Sequence, residues 1–123
     1  MKEILRDLIE NLKNNVPGFI AVSITDISSG ESLDSFTTDE NFDPNLASAF
    51  NLEVVKAKLK AIKALNLNEE IQDITITLSS QFHIINVAPS GAYFIYLAVS
   101  SSADLSMTKS LLNNYKAELI NAL

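Results

Sequence analysis

The sequence has no cysteine and no tryptophan, and it contains only three glycines and three prolines among 123 residues. Without cysteine the chain can form no disulfide or thiolate site, and a zinc site would depend on the single histidine and on carboxylates. The scarcity of glycine and proline, together with 47% hydrophobic residues, excludes a disordered or collagen-like chain. At this length the composition predicts a single globular domain over residues 1–123.

Positive charge is also scarce, because Lys and Arg number 9 against 15 Asp and Glu, which gives a net charge of −6. Nucleic acids and anionic membrane surfaces recruit clustered Lys and Arg, so neither is an expected partner. Long hydrophobic runs are missing too. The first residues alternate charged and apolar side chains, unlike a signal peptide, and no later stretch approaches the ~18 apolar residues of a membrane span. We therefore expect a cytoplasmic protein with no segment inserted into a membrane.

The sequence does contain a regular succession of hydrophobic periods. A helical period predicts helices over residues 2–15 and 44–65 and from about residue 104. Alternation or short apolar runs predict strands over residues 19–25, 32–36, 71–79, 82–87 and 92–100. The stretch AYFIYLAV is apolar on both faces, which predicts a central strand. The predicted fold class is α+β in the order α-β-β-α-β-β-β-α, with a largely antiparallel sheet because most connections are short.

The loop DISSGE, residues 26–31, raises the question of a phosphate-binding loop. Such a loop needs several glycines, a lysine and a Ser or Thr that enters a helix. This loop has one glycine, Gly30, and no lysine, and a predicted strand follows it. It is therefore predicted to be a hairpin turn.

The predicted middle helix carries two apolar stripes on nearly opposite faces. The first consists of Leu46, Phe50, Val54, Ala57, Ala61 and Leu65. The second consists of Leu52, Val55, Leu59 and Ile62. A helix on the surface of a monomer needs only one such stripe, so a loop, a neighbouring helix or a second copy of the chain must cover the other.

The chain has little material left to cover a second stripe by itself. We therefore predict that Leu52, Val55, Leu59 and Ile62 meet the same helix of a second copy in a two-fold contact. The alternating third strand can add to this interface by pairing edge to edge with its mate, through the segment that carries Ile74, Ile76 and Leu78.

Taken together, several features resemble the Roadblock/LC7 family over nearly the whole chain. They are Val16-Pro17-Gly18 before the first strand, the turn from Asp26 to Gly30, the two-faced helix, the run YFIYL at 93–97, and Asp104-Leu105 at the last helix. The chain departs from the family where members often have Gly in the first strand and Asn-Leu-Gly before the last helix. It has Ile20-Ala21 and Asp104-Leu105-Ser106 at those places.

The resemblance implies a five-stranded antiparallel sheet with the middle helix on one face and the two terminal helices on the other. It also implies a dimer built on the middle helix and the third strand. Members are similar to scaffolds and regulators of small Ras-like GTPases, which sit on the paired middle helices. On this chain that platform corresponds to the flank formed by Glu53, Lys56, Lys60 and Lys63. The expected function is thus a non-enzymatic, homodimeric regulator or scaffold of such a GTPase, with no catalytic residue, cofactor or metal.

Other chemistry is weakly represented. His83 is the single histidine, and no serine lies in a G-x-S-x-G motif. The acidic cluster lacks the spacing of a calcium loop, although it contains Asp34, Asp39, Glu40 and Asp43. The alternative function is a small-molecule-sensing domain, in which Tyr93, Phe94 and Tyr96 line a pocket between sheet and helix rather than pack in the core.

Overall fold

A computed structural model describes the backbone of residues 2–122 and the side chains of residues 3–120. The elements are α1 (Lys2–Asn15), β1 (Phe19–Asp26), β2 (Ser32–Thr37), α2 (Pro44–Ala64), β3 (Asp73–Thr77), β4 (Gln81–Val87), β5 (Tyr93–Ser100) and α3 (Leu105–Ala122). This order confirms the predicted fold class. The third strand is shorter than the predicted 71–79. Within the described backbone, no helix is long and apolar enough to cross a membrane.

The five strands form one antiparallel sheet in the order β2-β1-β5-β4-β3. Strand β5 lies at its centre, and the side chains from Tyr93 to Val99 are all buried. The prediction of a central strand is therefore confirmed. The two edge strands are β2 and β3, and their burial is lower because each has only one neighbour within the sheet.

Each face of the sheet carries its own hydrophobic core. Because successive side chains of a strand point to opposite faces, Ile95 and Leu97 of β5 pack against α1 and α3, whereas Phe94 and Tyr96 lie on the side of α2. The terminal helices thus cover one face and α2 covers the other, as the resemblance implied. Any surface built on α2 is separated from α1 and α3 by the full thickness of the sheet.

The loop at residues 26–31 is a hairpin turn, as predicted. The Gly30 amide donates to the Asp26 carbonyl and the Asp26 amide donates to the Glu31 carbonyl, both at 2.9 Å. Gly30 has a φ of 74°, a conformation that side chains disfavour. A Cβ at this position would also come within 3.2 Å of Leu52 Cδ2. The glycine therefore closes the turn and leaves room for α2.

Candidate protein-interaction surface

The start of α2 is fixed by a hydrogen-bonded cap. Asp43 Oδ1 accepts from the amides of Asn45 and Leu46 at 3.0 and 3.1 Å, and Pro44 occupies the first turn, where an amide has no helical partner. At the other end, Asn66 adopts a φ of 56° and ends the helical path. The helix is therefore well defined between Pro44 and Ala64. Its rotation about its own axis decides which stripe meets the sheet.

The stripe that meets the sheet is the one predicted to meet a second copy. Leu52 and Val55 are buried in the core beneath α2, so the prediction that they form a dimer interface is wrong. Leu59 is half-buried and packs against the same core. Ile62 is half-buried and lines a crevice between α2 and the segment that leads to β3. Leu52, Val55 and Leu59 therefore hold α2 to its own sheet.

The small face of β1 explains this rotation. Side chains alternate along β1, so Ala21, Ser23 and Thr25 point towards α2, and all three are buried. The Ser23 hydroxyl forms a hydrogen bond with the Ser48 hydroxyl of α2. Ser48 lies one helical turn before Leu52 and just under two turns before Val55, so these residues share the buried arc. Small polar residues on both elements allow close approach, which Phe50 in the other stripe would prevent.

The opposite stripe, hereafter the outer stripe, faces solvent. It consists of Leu46, Phe50, Val54, Ala57, Ala61 and Leu65. The four large side chains are 57, 69, 40 and 64% exposed, for Leu46, Phe50, Val54 and Leu65 respectively. Single exposed apolar residues are common, but a row of them along one helix is a candidate interaction surface. The sequence revealed both stripes and assigned them in the wrong order.

The outer stripe divides by direction. One half lies on the same side of the helix as Lys58, because its residues are three, four or seven positions away from Lys58. These residues are Val54, Ala61 and Leu65. Lys58 lines the crevice together with residues 67 and 69–74, which lead into β3. The other half lies on the same side of the helix as Glu53 and points away from the sheet, because its residues are three, four or seven positions away from Glu53. These residues are Leu46, Phe50 and Ala57. One half of the stripe therefore faces the β3 side, and the other faces outward.

The predicted charged flank lies along one side of α2. Glu53, Lys60 and Lys63 are exposed and Lys56 is half-buried. None of these four forms a salt bridge to another side chain of residues 3–120. The flank borders the outward half of the outer stripe at Glu53 and carries three free ammonium groups, so it can meet an acidic surface.

Strand β3 offers an open edge on the same side of the molecule. Ile74 and Ile76 stand opposite Ile85 and His83 of β4, so they lie on the α2 face of the sheet. Both are only half-buried, because α2 packs mainly against β1 and β2. Leu78 follows the end of the strand and is 44% exposed. Beside this edge, the crevice has a volume of about 730 Å³.

His83 lies on the α2 face of β4. Its Nδ1 is 3.2 Å from the Tyr96 hydroxyl and its Nε2 is 2.8 Å from Gln81 Oε1. Neutral imidazole satisfies both contacts, because Tyr96 donates to Nδ1 while Nε2–H donates to Gln81. Burial lowers the pKa of His83, which favours this neutral form. The ring also meets Phe42 edge-on, so the arrangement anchors the loop before α2 to the sheet.

Three of the four acidic residues singled out in the sequence are engaged in local contacts. Asp34 pairs with Arg6 at 3.1 Å, Asp39 accepts from the Asn41 amide at 2.9 Å, and Asp43 caps α2. Within the described residues, no three His, Cys, Asp or Glu side chains gather at one point that could hold a metal ion.

The three aromatic residues considered for a ligand pocket do not form one. Phe94 and Tyr96 lie in the core beneath α2, where Tyr96 is stacked near Phe42. Tyr93 points to the opposite face and lines a separate cavity there. The structure therefore splits the predicted pocket between the two faces of the sheet.

This arrangement, with α2 alone on one face of a five-stranded antiparallel sheet and α1 and α3 on the other, is the Roadblock/LC7 fold. Among solved structures, the chain superposes on Myxococcus xanthus MglB with a TM-score of 0.79 and 13% identity, covering 98% of this chain and 85% of that one. A Roadblock/LC7 domain from Streptomyces avermitilis gives a TM-score of 0.78 at 11% identity, with 99% and 96% coverage.

A third structure, described as MglB with a tetrameric arrangement, gives a TM-score of 0.75 at 14% identity and covers 92% of this chain and 82% of that one. No protein-family model matches the sequence, and no curated protein matches it. The likeness therefore lies in the fold, since fewer than one residue in five is identical in each of these three structures.

Proposed function

We propose that this chain forms a homodimer through α2 and the edge of β3, and that the paired α2 helices bind a small Ras-like GTPase as its regulator or scaffold. The observation that carries the proposal is the outer stripe, because α2 already packs one apolar face against its own sheet and still presents a second apolar row to solvent. The similarity to MglB, which has been solved in a tetrameric arrangement, supports self-association. The GTPase is proposed as the partner because the sequence resembles the Roadblock/LC7 family.

In the proposed dimer, the β3 half of the outer stripe meets its mate. A second copy that adds its β3 to the edge of this β3 brings its own α2 alongside the crevice. Val54 and Leu65 then pack across the two-fold axis, and Ile74, Ile76 and Leu78 become covered next to them. Leu52 and Val55 take no part, because they remain inside each protomer.

The outward half of the stripe forms the platform for the GTPase. Leu46 and Phe50 stay exposed beside the charged flank of Glu53, Lys56, Lys60 and Lys63, and the two-fold axis doubles the set. An apolar centre bordered by charge is the usual composition of a protein interface, and the lysines favour an acidic partner surface. The whole chain has a net charge of −6, so the flank is a local exception to it.

The test is binding of the purified chain to the Ras-like GTPase of its own organism, loaded with GDP or with a non-hydrolysable GTP analogue. We expect binding that depends on the nucleotide. Phe50→Asp should weaken it at least roughly tenfold, as expected for a central aromatic contact, while the molar mass of the chain stays that of the dimer. The reversal of Lys56, Lys60 and Lys63 to Glu should slow association.

The matched control is Lys13→Glu, which reverses one charge on α1, on the other face of the sheet. This variant should bind as the unmodified chain does. A dimeric chain that binds the GTPase in neither nucleotide state contradicts the GTPase part of the proposal. Binding that survives Phe50→Asp and the lysine reversals places the partner on another surface.

A further inference from the structure

A second feature lies on the face opposite α2, between α1, α3 and the end of the sheet. It is a cavity of about 410 Å³ lined by Leu5, Ile24, Asp26, Leu33, Ser90, Ala92, Tyr93, Leu119 and Ile120. Its volume falls in the range of small-molecule sites, ≈300–1,000 Å³. Most of its lining is apolar, and Asp26 is the one carboxylate among the described residues that line it. The proposed GTPase platform makes no use of it.

Two polar residues of this cavity lie on neighbouring strands. Asp26 and Tyr93 are directly opposite each other in the pairing of β1 with β5. The Tyr93 hydroxyl is buried and has no hydrogen-bond partner among the described residues, and the residue is only 8% exposed. A buried hydroxyl without a partner is uncommon and points to an absent bonding group. Burial also raises the pKa of Tyr93, so the hydroxyl stays protonated at neutral pH.

The charge at the rim is negative. Asp26 Oδ1 accepts from the Ser29 amide at 2.9 Å and from the Ser28 hydroxyl at 3.0 Å, and these bonds lower the pKa of the carboxyl. Both bonds use Oδ1, so Oδ2 can accept from a ligand. A neighbouring depression shares Leu33 with the cavity and adds Glu3, Asp7 and Asp34 against Arg6, which already pairs with Asp34.

We propose that this cavity binds a small amphipathic amine, with its apolar body against Ile24, Tyr93 and Leu119 and its ammonium group at the carboxylate of Asp26. The argument for a cation is charge complementarity, because none of the residues between 3 and 120 that line the cavity is a lysine or arginine, whereas Asp26 is one of them. A carboxylate ligand would meet repulsion from Asp26. The apolar lining excludes a fully polar ligand such as a free phosphate, which would lose its hydration without replacement bonds.

The test uses three indole compounds that differ mainly in the charge of the side chain: tryptamine, tryptophol and indole-3-propionate. They are titrated into the full chain, and binding is followed by amide ¹H–¹⁵N NMR. Tryptamine should produce saturable shifts around Tyr93 and Leu119. It should bind more tightly than indole-3-propionate by roughly three- to thirtyfold, as expected for two partly exposed charge terms, with tryptophol between them.

Two variants separate charge from cavity. Asp26→Asn keeps the oxygen that accepts from Ser28 and Ser29, and it should bring the three affinities within about twofold of one another. Its control, Glu40→Gln, removes an exposed carboxylate elsewhere and should leave the order unchanged. Ala92→Trp fills the mouth from an exposed position and should abolish binding of all three compounds.

The comparison among ligands on the unmodified chain stands even if a variant fails to fold. Equal or tighter binding of indole-3-propionate overturns the proposal, as does the absence of saturable shifts with every compound. Shifts confined to α2 would also overturn it, because they place the ligand on the other face. Each of these results leaves the dimer and the GTPase platform untouched.

Discussion

The pair Val54 and Val55 provides a sharp test of how α2 is used. These neighbours have the same side chain, yet Val54 is 40% exposed in the outer stripe and Val55 is completely buried against the sheet. Aspartate at position 54 should therefore leave the fold intact and break the dimer. Aspartate at position 55 should instead destabilise each protomer.

The magnitudes follow from burial. Complete burial of a valine contributes about 1.5–3 kcal/mol, so covering the 40% of Val54 that is exposed contributes about 0.6–1.2 kcal/mol in each protomer. Val54→Asp removes this from both copies and adds the cost of desolvating two like charges near the two-fold axis. A total loss of about 3–4 kcal/mol weakens the dimer by a factor of roughly 150 to 900.

For Val55→Asp the same substitution places an unpaired carboxylate in the core beneath α2. Such a group costs several kcal/mol, which is a large part of the ~5–15 kcal/mol that stabilises an ordinary domain. The assay is molar mass by light scattering across a dilution series, with circular dichroism and urea unfolding on the same samples. We expect a dimer for the unmodified chain, a folded monomer for Val54→Asp, and a largely unfolded Val55→Asp.

Three results would contradict this reasoning. A Val54→Asp variant whose dimer dissociates at the same concentration as the unmodified chain removes Val54 from the interface. A Val55→Asp variant that is a stable folded monomer means that the buried stripe is the interface after all, and that α2 is rotated relative to its sheet. A monomeric unmodified chain would end the homodimer proposal and leave the outer stripe to a different partner.

Three further predictions concern stability and are measured by urea unfolding. Gly30→Ala should lower the free energy of unfolding by about 1–2 kcal/mol more than an ordinary surface change, because it combines a positive φ with a close contact to Leu52. Gly91 has a similar φ of 73° but open space around it, so Gly91→Ala should cost only the strain of the positive φ. Burial lowers the pKa of His83 in the folded chain. The contribution of His83 to the free energy of unfolding is therefore complete above the unfolded pKa of about 6.5 and declines as the pH falls below that value. His83→Gln should flatten the decline between about pH 7.5 and 5.5; an unchanged slope would contradict this. Asp43→Ala should cost about 1 kcal/mol through loss of the cap on α2, and no change in the urea midpoint would contradict that role.

Much of the fold could be predicted from local pattern. The apolar run at residues 93–99 is covered on both faces, so its composition reports its central place directly. The loop between β1 and β2 could be predicted as a turn rather than a phosphate-binding loop, because it has a single glycine and no lysine. The third strand was predicted too long, because Ile71 is apolar for a different reason: it packs against the core beneath α2 from outside the strand.

The order of the two stripes on α2 could not be predicted from hydrophobicity. Both stripes are apolar, and each carries four large side chains, with Phe50 in the outer one. The decisive feature is shape: β1 presents Ala21, Ser23 and Thr25, and the helix matches this small face with Ser48. The signal was present in the alternation of β1, but its use requires knowing that β1 lies beneath α2, which is a property of the assembled sheet.

The position of α2 over the sheet relates the partly uncovered side chains of β3 to the β3 half of the outer stripe. Because α2 packs mainly over β1 and β2, it leaves Ile74 and Ile76 partly uncovered. On the same side of the helix, Val54 and Leu65 are exposed in part. A second copy joined at the β3 edge would cover both sets at once, since its own α2 is displaced in the opposite direction by the two-fold axis. The edge strand and the helix stripe therefore belong to a single proposed interface, and a substitution that disrupts the contact of either one should dissociate the dimer.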